Sequence, residues 1–110
     1  MAKSLHNYDV IVVGGGASGM MAAGTAAEAG KRVLLIEKND SLGKKLAISG
    51  GGRCNIFNAE EDERELLSNY GEAAPFLYSA FSEFGLKESE AFFERIGVPT
   101  IVEARKRAFP

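Results

Sequence analysis

The chain has 110 residues, with 13 Lys and Arg set against 15 Asp and Glu for a net charge of −2, and it carries one His and one Cys. That balance gives no general attraction to nucleic acid, a single Cys excludes an internal disulfide framework, and one His with one Cys cannot assemble a metal site. Apolar stretches are broken by glycines and charges, and the first nine residues lack the pattern of a signal peptide, so the expectation is a cytoplasmic protein with neither membrane nor nucleic-acid partners.

His6 precedes the first ordered element and reads as solvated rather than catalytic. Residues 9–13, Asp-Val-Ile-Val-Val, form a β-branched run bounded by polar residues, which predicts a parallel strand buried on both faces. Gly14-Gly15-Gly16-Ala17-Ser18-Gly19 follows, and residues 18–29 are nearly all small, ending at Gly30. The pattern is strand, tight turn, helix. Gly14 suits the sharp turn, Gly16 leaves room for a pyrophosphate to approach the main chain, and Gly19 lets the helix press on the strand. The N–H groups and positive dipole end of that helix would then face phosphates. Ala22, Ala23, Gly24, Ala26 and Ala27 fit a helix in a confined space, and Met20 and Met21 read as packing residues.

Residues 32–36, Arg-Val-Leu-Leu-Ile, predict a second buried strand that delivers Glu37 to its C-terminal end. A carboxylate there accepts hydrogen bonds from ribose hydroxyls and repels a 2′-phosphate, so an NADP adenosine is disfavoured. NAD, FAD and some methyl-donor nucleotides satisfy this pattern equally.

The stretch 39–55, Asn-Asp-Ser-Leu-Gly-Lys-Lys-Leu-Ala-Ile-Ser-Gly-Gly-Gly-Arg-Cys-Asn, is too glycine-rich for an ordinary crossover helix and reads as a loop lying against a ligand. Its three consecutive glycines let backbone N–H groups approach a polar surface, and Lys44, Lys45 and Arg53 can offset negative charge on a diphosphate or a reduced flavin. Ser49 and Asn55 can hydrogen-bond ribityl hydroxyls or flavin edges. A flexible surface loop with solvated lysines is the alternative. Cys54, without a second Cys for exchange, reads as a small packing residue.

Beyond Asn55 the signals are structural. Residues 56–59 read as a turn or exposed extension, and Glu60-Glu61-Asp62-Glu63 as a solvated helix start. Phe76, Leu77, Ala80, Phe81 and Phe84 share helical spacing and predict a core-facing stripe over residues 75–84. A further helix is expected to end at Ile96 before Gly97, then a short strand over residues 100–102 and a basic turn at Arg105-Lys106-Arg107. No acid, base or nucleophile suited to catalysis is evident.

The run 8–37 resembles the FAD-binding start of the two-dinucleotide-binding-domain flavoproteins. Residues 42–55 are very similar to the signature of one branch, the HI0933-like (BaiN/YhiN-type) family of bacterial NAD(P)/FAD-dependent oxidoreductases. A looser similarity continues through residues 91–99 to the closing Arg107-Ala108-Phe109-Pro110. One departure is Ala104-Arg105-Lys106-Arg107, where the family tends to have an acidic residue and a glycine before Phe-Pro.

The resemblance implies an α/β fold of Rossmann-like (GR2-type) FAD-binding character, the N-terminal part of a doubly wound parallel sheet with following helices. Residues 1–110 would be the N-terminal part of an FAD-binding domain from a longer flavoprotein, completed by the rest of that chain or by a partner. It implies FAD as cofactor, NAD(P)H or oxygen as redox partner and a small organic substrate. It also implies an FAD site containing Gly14, Gly16, Ala17, Ser18, Gly19, Glu37, Lys38, Lys45, Ser49, Gly50, Arg53 and Asn55. Lys45 and Arg53 would stabilise negative charge on reduced flavin. The other readings are an NAD-dependent dehydrogenase and a non-catalytic dinucleotide-binding module. A sheet of two or three strands leaves an open edge and an uncovered apolar face, which predicts marginal stability for these 110 residues alone.

Overall fold

The computed structural model describes residues 7–110, so the reading of His6 lies outside the described residues. The chain divides into two compact units, Met1–Gly52 and Arg53–Pro110.

In the first unit, β1 (Val10–Val13) and β2 (Val33–Ile36) pair in parallel, with Val10 opposite Val33 and Val13 opposite Ile36. The connection is α1 (Ala17–Glu28), which packs on both strands. These are the β-branched runs and the small-residue helix read from the sequence, in the βαβ order a parallel pair requires. Asp9 fastens the strand starts: its backbone N–H donates to Arg32 O at 2.8 Å, and its carboxylate accepts from the Arg32 backbone N–H at 2.8 Å and from the guanidinium at 3.2–3.3 Å. Gly30, at φ +79°, turns the chain out of α1.

Burial on both faces is corrected. Residues of β1 alternate, with Val10 and Val12 half-buried while Ile11 is 56% and Val13 81% exposed. The reason is the strand count: among the described residues the two strands are packed by α1, so only one face of the sheet receives a covering layer. The loop reading of residues 39–55 is corrected too. Lys44–Ile48 form a short helix, α2, followed by a tight 3₁₀ turn over Ser49–Gly52. Lys-Lys-Leu-Ala-Ile contains good helix formers, and Gly43 enters them from the left-handed region at φ +68°, a conformation that a side chain would disfavour.

The second unit has three helices, α3 (Glu63–Ser68), α4 (Ala74–Glu83) and α5 (Leu86–Arg95), and a three-stranded antiparallel sheet. Its strands are β3 (Phe57–Asn58), β4 (Ile101–Glu103) and β5 (Arg107–Phe109), with β5 in the middle. The turn expected at residues 56–59 is therefore partly strand, because Phe57 finds Ala108 across the fold. Likewise Arg107 leaves the basic turn and opens β5 opposite Glu103. Asp62 caps α3 by accepting the N–H groups of Arg64 and Glu65 at 2.9 and 3.2 Å, which is the acidic helix start expected.

The aromatic stripe is only partly core. Leu77 and Phe81 are half-buried, Phe81 tilted against Tyr70 at 6.3 Å, but Phe76 is 87% exposed and Phe84 meets only the edge of Phe92. The buried apolar residues are instead Leu67, Ala74, Ala108 and Phe109. Helical spacing aligns side chains on one face; how much of that face is covered depends on its neighbours, and α4 packs chiefly on the short α3.

Candidate functional site

The turn from β1 into α1 has the geometry its glycines predict. Gly14, at φ +103°, donates its N–H to Ile36 O at 2.7 Å, continuing the parallel ladder. Gly19 rides directly on that turn: a Cβ there would stand 1.8 Å from Gly14 O. Gly16, the residue before α1, has open space where its Cβ would be. Met20 N–H donates to Gly16 O at 2.9 Å as the first helical bond, so the N–H groups ahead of it are the orphan donors of the helix start. No side chain caps this end and no acid stands in its first turn. The twelve-residue helix thus presents an N-terminus with no side-chain cap beside a clearing at Gly16, with Ala17 and Ser18 exposed.

Glu37 follows directly on β2. Its Oε1 accepts the Gly15 N–H at 2.9 Å and its Oε2 accepts the Asn39 N–H at 2.7 Å. These donors, Asn39 first and then Gly15, hold its carboxyl below the ordinary carboxylate range, helped by the neighbouring Lys38 charge. A carboxylate has about four lone-pair sites, so with both backbone donors and the Asn39 side chain on it Glu37 keeps capacity for a hydroxyl donor. Glu37 therefore braces the glycine turn as well as standing at the strand end where a ribose would be read.

Lys45 is exposed in the last turn of α2, while Lys44 pairs with Asp40 at 3.4 Å. Ser49 donates its hydroxyl to Leu46 O at 2.7 Å, closing the end of α2 rather than standing free. Gly50, Gly51 and Gly52 all have positive φ, 58°, 68° and 86°, a succession open to glycine and strained for other residues. The first unit thus assembles Gly14, Gly16, Ala17, Ser18, Gly19 and Glu37 around one turn. Lys38 flanks that group, and Lys45, Ser49 and Gly50 stand on the following segment.

In the second unit, Arg53 is already engaged. Its guanidinium donates to Glu103 at 3.1 and 2.6 Å and lies 4.2 Å from the centre of the buried Phe109 ring. The pair holds the Glu103 carboxyl down and the Arg53 guanidinium up. Arg53 thus stands in a forked, stacked ion pair. The Asn55 amide faces Phe57 O and Ala108 O, each at 3.2 Å, so the orientation its surroundings require places the nitrogen there as donor to both. Cys54 is half-buried at φ +59°.

Gly15, Leu42 and Gly43 were not singled out by sequence reasoning. Gly43 donates its N–H to Gly15 O at 2.8 Å, and Leu42 covers Gly15. A glycine just ahead of a run of helix formers was the available signal.

Residues 8–110 match the family described as the HI0933-like protein Rossmann domain. The chain belongs to that family. Among curated relatives, it is 39% identical over 80 residues to a ribosomal RNA dihydrouridine synthase of Escherichia coli (strain K12), covering 73% of this chain and 19% of the relative. It is 35% identical over 91 residues to a 3-dehydro-bile acid delta(4,6)-reductase of Clostridium scindens, covering 81% of this chain and 22% of the relative. Over 45 residues, 41% of this chain and 7% of the relative, it is 56% identical to a urocanate reductase of Eggerthella lenta. The chain spans about a fifth of the length of the first two relatives. The Rossmann-like α/β class expected from the sequence is the class found, carried by the parallel β1–α1–β2 unit. No helix among the described residues is long and apolar enough to cross a membrane.

Proposed function

We propose that this chain is the nucleotide-gripping start of an FAD-dependent oxidoreductase that carries out redox chemistry on a small organic substrate, with NAD(P)H or oxygen as its redox partner. The observation that carries the reading is the first unit's turn: an uncapped, acid-free helix N-terminus, a clearing at Gly16, and a carboxylate ending the adjacent parallel strand. A diphosphate fits the orphan N–H groups of α1, and the remaining acceptor capacity of Glu37 suits a hydroxyl of an adenosine ribose. Gly14, Gly16, Ala17, Ser18, Gly19, Glu37 and Lys38 would hold the ADP half. Lys45, Ser49, Gly50, Arg53 and Asn55 are assigned to the ribityl and flavin half on the family resemblance.

FAD, when bound, supplies the exchange of a hydride or an electron pair. This chain's residues bind and orient: the α1 N–H groups neutralise phosphate charge, Glu37 fixes the adenosine end, and Lys45 offers a cation to an anionic ring. Arg53, forked on Glu103 through two of its N–H donors, keeps the others for a further acceptor.

The relatives' names support hydrogen transfer to or from an organic substrate, since they include reductases and dehydrogenases alike. The names of the bile acid and urocanate reductases specify small molecules.

The deciding experiment is purification of the full-length protein and its visible spectrum. A yellow, reducible cofactor, released on denaturation and identified as FAD, is expected, with bleaching by NADH or NADPH. A colourless protein that neither retains nor takes up FAD would refute the proposal, and NAD retention without a chromophore would favour a nicotinamide dehydrogenase. An FAD protein that no reduced nicotinamide bleaches would be a passive binder or an oxygen-linked enzyme. Arg53→Ala with unchanged FAD affinity, flavin potential and turnover would remove Arg53 from the site.

A further inference from the structure

Gly15 is buried and held on three sides by the segment that follows β2. Its N–H donates to Glu37, its carbonyl accepts the Gly43 N–H at 2.8 Å, and Leu42 Cδ2 lies 2.4 Å from where a Gly15 Cβ would be. Gly43 is itself buried, at φ +68° and ψ +27°, and a Cβ on it would come 3.1 Å from Met20 Cε of α1. Its own carbonyl accepts the Ala47 N–H at 2.9 Å as the first helical bond of α2. One backbone residue therefore joins the glycine turn, the start of α1 and the start of α2.

We infer that Leu42 and Gly43 are positioning residues of the dinucleotide site, fastening the Gly14–Gly19 turn to the segment that carries Lys45 and the three glycines; this rests on the dinucleotide reading above. A turn that must present several N–H groups to one anion loses affinity when its middle residue is free to move, because ordering is then completed at binding. Gly15 is that middle residue, and Leu42 touches it without being assigned to any ligand. A surface loop would need no such fastening. Here three contacts of different kinds, an ion-backed hydrogen bond, a backbone hydrogen bond and an apolar cover, converge on a single glycine.

The test uses the full-length protein with Leu42→Ala, whose side chain is 51% exposed so that the fold tolerates its loss, and Leu42→Met as the conservative variant. Gly43→Ala is the more disruptive companion, forced against both its φ and Met20. ADP affinity by calorimetry, FAD affinity by fluorescence of the released flavin, and amide hydrogen exchange over residues 12–19 are measured together. Leu42→Ala is expected to weaken ADP and FAD alike by about fivefold, the cost of ordering roughly one backbone residue at binding. Exchange over residues 12–19 should quicken while residues 33–36 stay unchanged, and Leu42→Met should restore both readouts. Affinities within twofold of wild type, or unchanged exchange over residues 12–19, overturn the inference. If the wild-type protein takes up neither ADP nor FAD, the dinucleotide reading falls by itself. Exchange in Leu42→Ala then decides alone whether the fastening exists.

Discussion

Three glycines of one segment face the same substitution with different expected results. In Gly19→Ala the new methyl would stand 1.8 Å from Gly14 O and 2.9 Å from Gly14 C, against an ordinary contact of about 3.5 Å. The obstacle is backbone, so relief requires α1 to lift from the turn by well over an ångström. Overpacking of this kind costs about 1–3 kcal/mol or more, and the better helix propensity of Ala returns about 1 kcal/mol. Gly24, in the middle of the same helix, has no atom within 4 Å of an added Cβ, so Gly24→Ala gains that same propensity without the clash. The propensity gain is common to both, so the two variants, identical in chemistry and five residues apart, should differ by the clash alone, roughly 1–3 kcal/mol or more, in urea unfolding followed by circular dichroism. Gly16→Ala, at φ −79° with open space around it, should cost only a few tenths to 1 kcal/mol as a poorer residue before the helix. It should nevertheless weaken ADP and FAD binding, because the methyl enters the clearing at the helix start. Equal stability of Gly19→Ala and Gly24→Ala would refute the close-approach argument, and undiminished nucleotide affinity in Gly16→Ala would refute the placement of the phosphates.

Glu37 should impose a pH signature. Its folded-state pKa lies below the ordinary 4.5, so its contribution is complete above that value and is lost as pH falls through the depressed one. Wild type should therefore lose stability more steeply than Glu37→Gln as the pH falls below 4.5, read from urea midpoints; parallel curves would count against the Asn39 and Gly15 bonds taken together. Arg105 sits at φ +62° and Lys106 at φ +57°, conformations costly for side chains. Arg105→Gly should raise the melting temperature by relieving about 1 kcal/mol of strain, whereas Lys106→Gly should gain less because Lys106 also pairs with Glu60. Glu103→Gln should lower the melting temperature at low salt, and the deficit should shrink in 1 M salt, roughly a 3 Å screening length, if the fork with Arg53 acts through charge.

What could be read from the sequence was local. The turn at Gly14, the stop at Gly30 and the stop at Gly97 each follow from a backbone angle that glycine alone adopts freely, and all three have positive φ. The boundaries of β1, α1 and β2 fall within a residue or so of the hydrophobic and small-residue runs that encode them. What escaped notice depends on partners far along the chain. Phe57 and Asn58 are too few to show alternation, and their strand exists only because Ala108 and Arg107 arrive beside them. The site divides in the same way. The uncapped α1 terminus was foreseeable from its glycines, whereas the Glu37 bond to Gly15, the Ser49 hydroxyl on Leu46 O and the Arg53 fork on Glu103 depend on which groups meet in three dimensions.

The contrast between β1 and the turn that follows it shows what supports the site. Ile11 and Val13 remain largely exposed, and each would contribute about 1.5–3 kcal/mol if fully covered, so the first unit leaves much of its available burial unrealised. The glycine turn draws on different interactions. Gly14 is held by Ile36 O, Gly15 by Glu37 and Gly43, and Gly19 by contact with Gly14, all within residues 14–43. Backbone hydrogen bonds and steric fit fix its shape, and these contacts do not require the open face of the sheet to be covered. Stability and site geometry are therefore separable: covering Ile11 and Val13 would raise the first without altering the second, while loss of the Glu37 or Gly43 contacts would degrade the second at small cost to the first.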